Sequence, residues 1–64
     1  MNAKKSLTVW MMEAQVFHGL SHDILVRTVS LQYGGNFERE VTSEQWETCM
    51  ELYETIYNVS HGVY

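Results

Sequence analysis

The chain has 64 residues, a single cysteine and no proline, with a formal net charge of −4. That length allows one domain near the lower limit for independent folding, and one cysteine excludes an internal disulfide that could staple it. An apolar fraction of 45% against 19% charged residues is that of a folded globular chain rather than a disordered one.

Charge is divided unevenly. Residues 1–32 carry Lys4, Lys5 and Arg27 against Glu13 and Asp23, a net +1; residues 33–64 carry Arg39 against Glu38, Glu40, Glu44, Glu47, Glu51 and Glu54, a net −5. A phosphate backbone calls for clustered lysine and arginine, so direct nucleic-acid binding is disfavoured. No segment approaches the ~20 apolar residues of a membrane-spanning helix. Lys4 and Lys5 precede an apolar stretch broken by Glu13 and Gln15, with no small-residue cleavage pattern. The expected location is the cytoplasm.

The first segment, "SLTVWMMEAQVFHG", places Leu7, Trp10, Met11, Ala14 and Phe17 on one helical face, with Gly19 positioned to close the helix. As a strand it would instead align Trp10, Met12, Ala14 and Val16, giving a three-stranded sheet with one helix. The helix is preferred for its Met-Met-Glu-Ala-Gln run.

The second segment, "ILVRTVSLQYGGNFEREV", is rich in β-branched residues, which favour strands. A three-residue loop at Gly34-Gly35-Asn36 sets Tyr33 opposite Phe37, Leu31 opposite Arg39 and Val29 opposite Val41. The other face is then wholly polar and includes Glu38 and Glu40. A β-hairpin is the expectation here. The competing reading is a helix from Ser21 to Tyr33 ended by Gly34, which would make the domain all-α.

The third segment, residues 42–58, is the clearest. Thr42 and Gln45 have capping-box spacing, and Trp46, Cys49, Met50, Tyr53, Ile56 and Tyr57, widened by Leu52, form an apolar helical stripe. Its water-facing side carries Glu44, Glu47, Glu51 and Glu54, three or four residues apart and with no lysine or arginine among them. Like charges at that spacing cost a few tenths of a kcal/mol per pair, relieved by the helix dipole only near the N-terminus. A face serving only for solvation would usually mix in lysines.

The expected fold is therefore one α+β domain: N-terminal helix, β-hairpin and C-terminal amphipathic helix. Chemistry finds little support. His18 and His22 stand four apart, the spacing that puts two ligands on one helical face, but Gly19 and Ser21 lie between them and no Cys-x-x-Cys or His-Glu-x-x-His pattern joins them to His61 or Cys49. A thiol in the middle of an apolar helical stripe is normally inert. No cofactor or catalytic role is expected. The expected function is protein binding: a small regulator or inhibitor, of the kind phages and mobile elements encode, docking Glu38, Glu40, Glu44, Glu47, Glu51 and Glu54 on a basic partner. The aromatic and methionine content also argues for a second copy, a homodimer in one version joined through hairpin edges. A metal-dependent mini-domain is the third alternative.

Overall fold

The computed structural model describes residues 4–62 of the chain. In chain order the elements are strand β1 (Lys4–Ser6), helix α1 (Leu7–His18), helix α2 (His22–Tyr33), strand β2 (Glu40–Thr42) and helix α3 (Ser43–Ser60). The class is α+β, with three helices and one antiparallel strand pair among the described residues.

The strand pair joins the two halves of the chain. Lys4 faces Thr42, Lys5 faces Val41 and Ser6 faces Glu40. The ladder runs on into the first turn of α1, where Leu7 N–H donates to Arg39 O at 2.9 Å and Thr8 N–H to Phe37 O at 3.0 Å. These two amides are among the four that a helix start leaves without internal partners. The 37–39 loop therefore serves both as the approach to β2 and as a cap for α1.

Helix α1 begins at Ser6, whose Oγ accepts from Val9 N–H at 3.3 Å. It ends at Gly19, which adopts φ 64°, with Leu20 N–H reaching back to Ala14 O at 3.2 Å. The expected helix with its glycine stop is thus present. Its core face is shorter than the periodicity implied. Leu7, Met11 and Ala14 are buried, but Phe17 is 73% exposed, because full burial on α1 stops at Ala14.

The hairpin looped at Gly34-Gly35-Asn36 is not formed. Residues 22–33 are helix α2, entered through Ser21, whose Oγ accepts from Ile24 N–H, and closed by Gly34 at φ 68°. Ile24, Leu25, Thr28 and Val29 make its buried face, and Thr28 Oγ1 donates to Ile24 O at 2.7 Å. Val29 is fully buried while Leu31 is 67% exposed, a contrast that the alternation of a strand does not allow. The energetic reason is a matter of scale. A β-branched residue costs a helix at most about 0.7 kcal/mol, whereas burying one Leu, Ile or Val side chain contributes about 1.5–3 kcal/mol. Glu40–Thr42 is a strand as expected, but it pairs with Lys4–Ser6 instead of residues 28–30.

Helix α3 has the capping box anticipated from the sequence: Gln45 N–H donates to Thr42 Oγ1 at 3.2 Å, and Thr42 N–H to Gln45 Oε1 at 2.8 Å. Trp46, Cys49 and Tyr53 are buried, with Met50 and Ile56 packed at the margin of the core. Tyr53 Oη accepts from Ser21 N–H at 2.9 Å and so ties α3 to the start of α2.

Candidate functional site

Two features of α3 lie side by side. At 3.6 residues per turn, Glu54, Glu47, Glu51 and Glu44 fall within an arc of about 80°, and Trp46, Tyr57 and Met50 occupy the arc immediately beside it. All four glutamates are exposed. Among the described residues the one ion pair is Lys5–Glu13, so no salt bridge neutralises the row. Glu38 lies in the turn ahead of β2 and Glu40 opens β2, both exposed, with the Arg39 guanidinium between them held over the Tyr33 ring at 5.0 Å. These two glutamates precede the helix instead of prolonging its stripe. The polar hairpin face that was to carry them is absent.

The arc next to the glutamates forms one wall of an open groove of about 780 Å³ between α3 and the second half of α1. Trp46, Met50, Tyr53 and Tyr57 come from α3, Trp10 and Ala14 from α1, and Glu13 and Glu54 supply acidic groups to its lining. The two tryptophans stack, ring centroids 5.7 Å apart and planes 13° from parallel. Trp10 is further fixed by its Nε1–H, which donates to Val41 O at 3.0 Å. Lys5 Nζ sits 4.5 Å from the centre of the Trp10 ring and bonds both carboxylate oxygens of Glu13, at 2.9 and 3.1 Å. At the far end Tyr57 packs between Tyr53 and His61, with centroids at 6.0 and 4.2 Å.

From sequence Trp10, Trp46 and Tyr53 read most simply as core, and the surplus of aromatic residues and methionines points to a partner or second copy without placing a surface. The missed signal is the succession Met50, Glu54, Tyr57, which puts apolar side chains on the border of the acidic stripe rather than at its back. The α1 wall has no comparable signal, since only tertiary packing brings Trp10 and Glu13 there.

A second groove, of about 560 Å³, lies between α1 and α2 and is lined mainly by Met11, Met12, Val16, Val26 and Phe37. Val9, Met12 and Val16 form a stripe along the outside of α1, each 40% exposed or more. Helix α1 is thus apolar on two sides.

The groups considered for chemistry are dispersed. His18 ends α1, His22 opens α2 and His61 follows α3. Among the described residues no three histidine, cysteine, aspartate or glutamate side chains gather as a metal site. Cys49 is fully buried, and burial pushes its thiol from an ordinary 9.0 up to about 11. Among the described residues no helix is long and apolar enough to cross a membrane. Comparison with protein-family models, curated proteins and solved structures finds no match.

Proposed function

We propose that this chain is a small non-enzymatic regulator or inhibitor that docks the acidic face of α3 on a basic protein partner. The observation that carries the reading is the row Glu44, Glu47, Glu51 and Glu54, exposed and without an ion pair among the described residues. Self-repulsion along a helix is a cost without structural return, because the fold is already secured by the opposite face. Binding rather than catalysis is supported by the burial of Cys49, which leaves its thiol out of a substrate's reach.

The test is the variant Glu47→Gln/Glu51→Gln/Glu54→Gln, used beside the native chain to capture partners from the source cell and then to measure association. Exposed charge acts mainly on association rate and is screened by salt. The variant is expected to fold as well as the native chain, to associate more slowly and to lose most of the salt dependence. An unchanged rate and salt response would leave the row as a solvated surface.

A second reading, self-association, is favoured by the Val9–Met12–Val16 stripe beside the groove between α1 and α2. The short strands give little support to joining through a hairpin edge. Sedimentation of the native chain and of Met12→Glu/Val16→Glu tests it: a dimer of the native chain that the variant lacks is the expected result.

A further inference from the structure

We infer that the groove between α1 and α3 receives an amphipathic, lysine- or arginine-bearing helical segment of the partner. Its apolar side chains would pack on Trp46, Met50 and Tyr57, and its cations would meet Glu54 and the glutamate row. The inference rests on the reading of that row as a docking face and adds what the row lacks, an anchor. Exposed charges select and steer a partner, but binding energy concentrates where aromatic and large apolar side chains lose water. The groove, of about 780 Å³, is floored with such side chains. Being open rather than enclosed, it can admit the apolar face of a helix.

The sign of the occupant follows from the walls. Glu54 stands on the α3 side, with Glu47, Glu51 and Glu44 in the arc beyond it and no cation among them, while Glu13 on the α1 side is already paired with Lys5. The chain itself shows how a cation is held at this edge: the Lys5 ammonium lies over Trp10 and on the Glu13 carboxylate. Glu54 has no such partner among the described residues. A second copy offering its Val9–Met12–Val16 stripe fits poorly, because α1 contains no lysine or arginine.

Trp10 and Trp46, the only tryptophans, both line the groove, so their emission reports its occupancy. The probe is a synthetic peptide with leucines on one helical face and lysines on the other. The comparison peptide has the same composition with the leucines scattered. The first is expected to shift tryptophan emission and to bind about tenfold more tightly than the second, a difference of the size one good apolar anchor supplies. Met50→Gln and Tyr57→Ala, with folding verified by circular dichroism, should each weaken it severalfold. The triple glutamine variant should slow association while amide shifts still map to the groove.

Equal binding of the two peptides, shifts mapping to Val9, Met12 and Val16, or tryptophan emission that changes with the chain's own concentration would each overturn the groove assignment. Equal binding that still depends on the glutamates would do so while leaving the docking face in place. Binding that depends on Met50 but ignores the glutamine substitutions would overturn the acidic-face reading and the basic character of the occupant.

Discussion

Trp10 stacks on Trp46 at 5.7 Å while its Nε1–H donates to Val41 O, so one indole touches three elements at once: α1 that bears it, α3 and β2. Substitution by phenylalanine keeps an aromatic ring but removes the donor and shrinks the stack. Trp10→Phe is expected to cost about 1–3 kcal/mol, from a lost hydrogen bond at a part-buried carbonyl and reduced aromatic contact. Urea unfolding at equilibrium measures it. A cost near zero would mean that the stack contributes nothing to stability.

Tyr53 supplies the hydrogen-bond acceptor for Ser21 N–H at the entry to α2. In Tyr53→Phe the ring still fills its place, and the amide loses its partner. The expected loss is about 1–2 kcal/mol, with faster hydrogen exchange at Ser21 and in the first turn of α2 than elsewhere. Uniform acceleration across all three helices would show instead that the contact acts on the whole fold.

Gly34 closes α2 at φ 68°, a conformation that costs a side-chain-bearing residue about 1–2 kcal/mol, and an added Cβ would meet nothing within 4 Å. Gly34→Ala should therefore destabilise by about 1 kcal/mol through backbone strain alone. Gly34→Asn should recover part of that loss, because asparagine tolerates the left-handed region. Thermal unfolding of the two variants provides the comparison.

Cys49 should resist thiol reagents at pH 8 in the native chain and react fully once urea unfolds it, because the folded thiol titrates at about 11. The same shift makes a statement about stability. Between 9.0 and about 11 the unfolded chain has lost the thiol proton and the folded chain retains it, so stability falls as pH rises through that window. Tyr33, also raised from 10.0 chiefly by burial, adds to the fall at its upper end. Cys49→Ala should flatten the alkaline decline in urea midpoints below pH 10.

What the sequence by itself determined is the part written in short-range signals. Thr42 with Gln45, the apolar stripe of α3 and the glutamate row on its other side are all set within a few turns of one helix. The stop of α1 at Gly19 is local in the same way. Single-domain size and the absence of an internal disulfide follow from counting residues. What only the tertiary structure decided lies where local and distant forces disagree. Residues 24–33 lean towards strand by their β-branched content, and a hairpin register could be drawn that segregated their faces cleanly. Burial of Ile24, Leu25 and Val29 against α3 outweighs that lean, since each buried side chain is worth several times a propensity difference. The pairing of Lys4–Ser6 with Glu40–Thr42 spans more than thirty residues, and the groove needs Trp10 from one helix beside Trp46 from another. No local pattern encodes either arrangement, because each exists only once the helices have packed.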